Sequence, residues 1–209
     1  MKKYTIEFFG TFFLLLISAL SQNPIAIGLG LAALIYTGAH ISGAHYNPAV
    51  SLAMLIRGEI TKKDCLLYVL FQILGAVFGS LVYFLITNDY FDAIPEKENF
   101  NMNQFLIAEF VFTFLLVFTI LFVATHPKIK ENNYYGAVIG LVVVASQYSI
   151  GDISSSVLNP AISIGPSLFN IVDSDSMNMS LAFSPYYIII TLIAGVFSAF
   201  IYGFYSKKD

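Results

Sequence analysis

The tripeptide Asn-Pro-Ala occurs twice in this chain, at residues 47–49 and again at residues 159–161. Asn is a favoured N-cap and Pro is favoured at the first helical position, so each copy predicts a helix that begins at its proline. The apolar segments that follow predict helices over about 48–57 and 160–169. Each is about half the length of roughly 20 residues that a helix needs to cross a membrane.

The composition indicates that these short helices lie in a membrane. The chain is 57% hydrophobic and 11% charged, whereas soluble domains carry roughly 25% charged residues. Because a soluble domain this apolar could not cover its surface, the solvent must be lipid. Six segments are long and apolar enough to span it: 4–20, 25–41, 64–87, 104–125, 134–150 and 184–205. The prediction is an all-α membrane protein with six transmembrane helices and two re-entrant half-helices.

The two halves of the chain resemble each other. The sequence IEFFGTFFLLL at 6–16 aligns with AEFVFTFLLVF at 108–118, which matches Glu7 with Glu109. Three spans per half is an odd number, so the second half must be inserted upside down, as an inverted repeat about an axis in the membrane plane. We therefore expect a single transmembrane domain over residues 1–209, with repeats of approximately 1–87 and 104–209.

The charged residues of this topology separate by side. The basic residues on one side are Lys2, Lys3, Arg57, Lys62, Lys63, Lys128, Lys130, Lys207 and Lys208, and only Lys97 falls on the other. That other side carries Asp89, Asp92, Glu96, Glu98, Asp152, Asp173 and Asp175. The positive-inside rule then places both termini in the cytoplasm. Nothing in this pattern suggests nucleic acid binding.

Two half-helices entering from opposite faces would meet at the membrane midplane, since each is about 15 Å long. Their positive dipole ends would converge and oppose the passage of cations. The side-chain amides of Asn47 and Asn159 would offer donors there, and the irregular segments before them would turn carbonyls toward a lumen. The carbonyls expected to line it are those of Gly43, Ala44, His45, Ser154 and Ser155. Such a path suits small uncharged solutes, and water is the simplest.

Glu7 and Glu109 lie inside predicted spans, where a carboxylate is a functional candidate by default. We interpret both as structural supports that accept hydrogen bonds from unpaired N–H groups of the irregular segments; a proton relay is the alternative. Cys65 is the only cysteine, and the sequence has no metal-ligand cluster, nucleophile–base pair or phosphate loop. We expect no metal, no cofactor and no enzymatic activity.

At this point the chain resembles the aquaporin, or major intrinsic protein, family over nearly its whole length. HISGAHYNPAVSLA at 40–53 is similar to the first family signature and SSSVLNPAISIGPSLF at 154–169 to the second. The resemblance implies a right-handed bundle, a homotetramer with one pore per subunit in the cell membrane, and passive conduction of water or small uncharged solutes. The pore centre would be Asn47, Pro48, Ala49, Asn159, Pro160 and Ala161.

One position departs from the family pattern. Most members carry an arginine after the second Asn-Pro-Ala, which forms a narrow outer filter with an aromatic residue and often a histidine; here the residue is Ile162. Alignment by distance from each asparagine places Ile27, Gln147 and Ser156 at the remaining filter positions. The resemblance thus implies an uncharged and more apolar filter. Because Ile lacks the donors and the charge of arginine, proton exclusion would rest more on the central dipole ends.

Several alternatives follow from this departure. A filter with two isoleucines could favour glycerol, ammonia, hydrogen peroxide or gases over water, although Ser163 stands where glycerol channels usually have an acidic residue. A secondary transporter also uses inverted repeats and broken helices, but only Glu7 and Glu109 could serve as its intramembrane ionisable groups. A non-conducting structural tetramer, closed by Ile27 and Ile162, is the third alternative.

Overall fold

The computed structural model describes residues 1–95, 100–129, 131–171 and 179–206. Within these ranges the chain forms the helices α1 (Lys2–Ser21), α2 (Pro24–Ser42), α3 (Pro48–Arg57), α4 (Lys62–Thr87), α5 (Met102–Ile120), α6 (Tyr135–Ser154), α7 (Pro160–Asn170) and α8 (Met179–Ser206). A π-helical turn, Leu121–Thr125, continues α5. The described residues contain no strand, and the predicted all-α fold class is confirmed.

Six of these helices are long and apolar enough to cross a membrane: α1, α2, α4, α5 with its π-helical turn, α6 and α8. Their outward faces carry large apolar side chains, among them Leu66, Leu141 and Phe204. In water these faces would be a large exposed apolar surface, whereas in a bilayer they contact lipid. The chain is therefore a multi-pass membrane protein.

Two helix ends differ from the sequence prediction. Helix α6 continues four residues beyond the predicted position 150 and ends at Ser154. The next residue, Ser155, has a left-handed φ of 59°, and its N–H bonds to the carbonyl of Gly151. The last turn of this helix contains polar residues, so the hydrophobic pattern ends before the helix does. Helix α8 begins at Met179 rather than at 184, and Pro185 lies inside the helix.

The two short helices begin where the asparagines predict. The Asn47 side chain accepts a hydrogen bond from the backbone N–H of Ala49 over 2.9 Å, and the Asn159 side chain accepts one from Ala161 over 2.9 Å. Helix α3 ends at Arg57 and is followed by Gly58, which has a φ of 86° that only glycine adopts easily. Helix α7 runs to Asn170, one residue past the predicted end.

The helices pack in matched pairs. Helices α1 and α4 contact each other in the first half, as α5 and α8 do in the second, and α2 contacts α6 across the halves. A Cβ built on Gly28 would lie 2.5 Å from the carbonyl oxygen of Gly140, and one on Gly140 would lie 2.4 Å from that of Gly28. The backbones of α2 and α6 therefore touch directly, which only a pair of small residues permits.

Charged residues mark one end of the bundle. Lys3 Nζ lies 2.8 Å from Asp64 Oδ1, and the hydroxyl of Tyr4 donates to the same carboxylate, so the starts of α1 and α4 are neighbours. We call this the inner end, and the end that carries the finish of α4 and the start of α5 the outer end. Several residues of the predicted charge pattern lie outside the described residues: Glu96, Lys97, Glu98, Lys130, Asp173, Asp175, Lys207 and Lys208.

Candidate permeation path

A cavity of about 920 Å³ follows the axis of the bundle. One face of α2 lines it with Pro24, Ile27, Leu31, Ile35 and Ala39. These residues are three or four positions apart, so they form one stripe about 22 Å long at 1.5 Å per residue. Helix α6 contributes a matching stripe of Tyr135, Ile139, Val143, Gln147 and Gly151. The cavity that these two antiparallel stripes line is therefore long enough to cross most of the hydrocarbon layer.

Both half-helices begin at this cavity, and each is bonded to the segment that precedes the other. The side-chain nitrogen of Asn47 donates to the carbonyl of Leu158 over 2.8 Å, and that of Asn159 donates to the carbonyl of Tyr46 over 2.9 Å. Asn47 and Asn159 both line the cavity. A primary amide has two N–H donors, so these reciprocal bonds engage one N–H of each amide and leave the second for the cavity.

The segments before the two asparagines have unusual backbone conformations. Positive φ angles of 47° to 59° occur at Ala44, Tyr46, Ser155, Ser156 and Leu158, none of which is glycine. Such conformations cost of order 1–3 kcal/mol each in bulky residues and persist only where the surroundings hold them. Here two buried glutamates, Glu7 and Glu109, hold these segments in place.

The Glu7 carboxylate holds the first irregular segment. It accepts hydrogen bonds from the backbone N–H of His45 over 2.9 Å and of Tyr46 over 2.7 Å. Ser42 Oγ donates to it over 2.5 Å and Gln72 Nε2 over 2.8 Å. Two donors thus reach each oxygen of this carboxylate, which is buried away from water.

The Glu109 carboxylate holds the second segment in the same relation. It accepts from the backbone N–H groups of Val157 and Leu158, both over 2.9 Å, and from Ser154 Oγ over 2.7 Å. The bonded N–H groups are again those of the two residues before the asparagine. Glu109 has no counterpart to Gln72, since the aligned residue Thr191 bonds within its own helix to the carbonyl of Tyr187.

Two tyrosines that the sequence analysis did not single out complete these supports. The hydroxyl of Tyr68 donates to the carbonyl of Ser42 over 2.8 Å, and that of Tyr187 donates to the carbonyl of Ser154 over 2.6 Å. The repeat alignment pairs these tyrosines, because YVLFQILGAVF at 68–78 matches YIIITLIAGVF at 187–197. That pairing is the sequence signal that would have found them.

The carbonyl of Ser154 is therefore not where the sequence analysis placed it. It points to Tyr187, and Ser154 is absent from the residues that line the cavity. The reason is that α6 extends through Ser154, so the irregular segment begins one residue later than expected. Gly43, Ala44, His45 and Ser155 do line the cavity, together with Ser156, Val157 and Leu158.

The four residues predicted for the filter all line this cavity: Ile27, Gln147, Ser156 and Ile162. Gln147 Nε2 donates to the carbonyl of Ser156 over 3.0 Å. The hydroxyl of Ser156 is buried and has no partner within the described part of the chain. Among the described residues of the lining there is no lysine or arginine. The polar groups here are thus a neutral amide, a hydroxyl and carbonyls.

Comparisons with known proteins agree in one family. The model of the major intrinsic protein family matches residues 1–202. Aquaporin AqpM of Methanothermobacter marburgensis is 29% identical over 99% of this chain and 98% of its own length. The probable aquaporin AqpM of Archaeoglobus fulgidus is 32% identical over 88% of this chain and 75% of its own. The X-ray structure of the aquaglyceroporin from Plasmodium falciparum has the same fold, with a TM-score of 0.79 at 21% identity, covering 99% of this chain and 96% of that one.

Proposed function

This chain belongs to the major intrinsic protein family, a family of transmembrane channels for water or small solutes, and we propose that its permeation path is the cavity between α2 and α6. Water and other small uncharged solutes pass through it by diffusion. The centre of the path is formed by Asn47, Pro48, Ala49, Asn159, Pro160 and Ala161. The whole chain forms one channel domain of two inverted repeats, approximately 1–87 and 104–209.

The observation that carries this proposal is the position of both asparagines on a cavity that follows the bundle axis. Each amide keeps one N–H for a passing solute, and carbonyls of the segments 43–45 and 155–158 supply acceptors. A solute that leaves bulk water can therefore exchange its hydrogen bonds for bonds to the wall. The two helix N-termini place partial positive charge beside the path, which opposes cations.

We assign the outer filter to Ile27, Gln147, Ser156 and Ile162. These four side chains are uncharged and include no arginine, so the filter supplies no fixed positive charge, and two isoleucines make part of its wall apolar. This specific observation favours a second candidate function, a channel mainly for glycerol, ammonia, hydrogen peroxide or gases rather than water.

The saturation of both glutamates supports a channel over a secondary transporter. Within the described residues Glu7 accepts from four donors and Glu109 from three, so both carboxylates are engaged in holding the protein rather than open to a coupling ion. We assign both as structural supports of the half-helices. A proton or sodium gradient should not drive accumulation of solute, and concentrative uptake in proteoliposomes would favour the transporter.

We further propose a homotetramer in the cell membrane with both termini in the cytoplasm. The lysines at the inner end, Lys2, Lys3, Lys62 and Lys63, support this orientation under the positive-inside rule. The apolar outward faces of the helices provide surface for both lipid and neighbouring subunits.

Two leucines of α2 allow a direct test of the path. Leu31 lines the cavity and is 8% exposed, whereas Leu29 faces outward and is 59% exposed. We expect Leu31→Trp to lower water permeability in proteoliposomes about tenfold by blocking the path, while Leu29→Trp conducts as the unmodified protein does. Equal conduction by both variants would show that solutes do not use this cavity.

A solute panel decides between the two candidate functions. Stopped-flow measurements on the unmodified protein would compare water, glycerol, ammonia and hydrogen peroxide against empty liposomes. Water permeability well above the others supports the water channel, and the reverse order supports the second candidate. Permeabilities equal to those of empty liposomes for all solutes would support the non-conducting tetramer.

A further inference from the structure

The outer loop between α4 and α5 contributes four consecutive residues to the cavity. Phe91, Asp92, Ala93 and Ile94 line the same cavity as the proposed filter residues. Ala93 is buried although it belongs to a loop. None of the four is among the residues assigned to the filter. The outer part of the path therefore has a wall that comes from outside the two repeats.

Asp92 bonds this loop to the helices α7 and α8. Asp92 Oδ1 accepts from Ser180 Oγ over 2.5 Å and from Asn170 Nδ2 over 3.1 Å. The same Asn170 nitrogen lies 3.3 Å from the carbonyl of Phe91. Asn170 is the last residue of α7 and Ser180 is in the first turn of α8. Both donors are buried, so each depends on this acceptor in place of water.

A second bond holds the other end of the loop. Ser155 Oγ donates to the carbonyl of Ile94 over 2.5 Å. Ser155 is the first residue after α6 and itself lines the cavity. The loop is thus bonded on one side to the irregular segment of the second repeat and on the other to the end of α7, the helix that carries Ile162.

We propose that residues 91–94 form a specificity-determining wall of the outer path and that Asp92 is the positioning residue that holds this wall in place. The inference rests on the proposed function, since it concerns selectivity in the same cavity. When the Asp92 acceptor is lost, the loop loses its bond to Ser180 of α8 and keeps only the longer bond from Asn170 of α7 to the carbonyl of Phe91, so the wall moves away from the path. The permeability to solutes larger than water then rises more than the permeability to water does.

The first test compares three variants in proteoliposomes by stopped-flow. In Asp92→Ala the ratio of glycerol to water permeability rises about threefold or more, because a wider constriction relaxes size selection. Asp92→Asn keeps an acceptor oxygen and restores most of the original ratio. Asp89→Ala is the matched control: Asp89 is in the same loop, its carboxylate accepts from the neighbouring N–H of Tyr90, and it does not line the cavity.

The second test places a reporter on the wall itself. Ile94 lines the cavity and is partly exposed, whereas Ala93 is buried. Cys65 is the only cysteine, so Ile94→Cys and Asp89→Cys are each made with Cys65→Ser. A bulky thiosulfonate reagent added from outside lowers water permeability of the Ile94→Cys protein and leaves that of the Asp89→Cys protein unchanged. This measurement stands even if Asp92→Ala fails to fold.

The outcomes separate the two proposals. An unmodified protein no more permeable than empty liposomes overturns the proposed function and the inference with it. A conducting protein in which Asp92→Ala keeps the original ratio, or in which reagent-treated Ile94→Cys conducts normally, overturns the inference alone. A raised ratio in Asp92→Ala that Asp92→Asn does not restore assigns the effect to the charge of Asp92 and overturns its positioning role.

Discussion

The side-chain amide of Asn47 donates to the carbonyl of Leu158, 2.8 Å away in space and 111 residues away in the chain. The reciprocal bond from Asn159 to Tyr46 closes a ring of two side chains and two carbonyls. Each asparagine also caps its own half-helix. One residue therefore fixes both the start of a half-helix and its position against the other.

Asn47→Ala should cost more stability than the loss of a helix cap alone. It removes an N-cap, worth about 0.5–2 kcal/mol, and leaves the buried carbonyl of Leu158 without its donor, worth about 1–3 kcal/mol more. Asn23→Ala is the control, because Asn23 caps α2 through Ile25 and Ala26 at an exposed site. Thermal unfolding in detergent should show the larger loss for Asn47→Ala, with reduced water permeability. Equal losses would mean that the cross-bond adds nothing.

The two glutamates should differ in their tolerance of Glu→Gln. In Glu7 each oxygen accepts two donors, so an amide nitrogen at either position would face two donors. In Glu109 one oxygen accepts a single bond from the described part of the chain, from the N–H of Leu158, so the amide nitrogen can turn to that side and lose one bond. We expect Glu7→Gln to lower the unfolding temperature and water permeability more than Glu109→Gln. The reverse order would contradict this account of the supports.

Ile162→Arg should make the channel more selective for water. The guanidinium narrows the outer path and adds donors and a positive charge, so the ratio of glycerol to water permeability should fall about threefold or more. Ile162→Met, which changes neither charge nor polarity, is the control. Unchanged ratios in the arginine variant would count against Ile162 as part of the filter.

The tyrosines behind the irregular segments should be sensitive to loss of a single hydroxyl. Tyr187→Phe leaves the buried carbonyl of Ser154 without its donor and should cost about 1–3 kcal/mol of unfolding free energy. Tyr68→Phe should behave similarly through Ser42. Tyr202→Phe is a matched control, since its buried hydroxyl has no partner within the described ranges. It should be neutral or stabilising, and a cost equal to that of Tyr187→Phe would reject the assignment.

Much of the fold was predictable because its determinants are local. Asparagine caps, prolines at first helical positions and long apolar runs each act within a few residues, and they predicted the spans and both half-helices. The alignment of Glu7 with Glu109 came from the same local similarity between the halves.

The parts that the sequence did not predict depend on partners far along the chain. Ser154 lies in the polar segment before the second Asn-Pro-Ala, so its carbonyl was expected to face a lumen. It instead accepts a hydrogen bond from the hydroxyl of Tyr187 on α8. Gln72 bridges Glu7 and Ser51 from α4, and nothing near it in sequence indicates that role. The loop at 91–94 lines the cavity only because α7 and α8 bring Asn170 and Ser180 to Asp92.

The reciprocal asparagine bonds also set an order of events during synthesis. Asn47 leaves the ribosome 111 residues before Leu158, an interval of about 6 to 22 s at translation rates of roughly 5–20 residues per second. Throughout it the first half-helix has its cap but lacks the acceptor that positions it. A nascent chain that has inserted only its first repeat therefore exposes the unpaired amide of Asn47 to the bilayer or the insertion machinery. The permeation path is completed only when the second repeat is inserted.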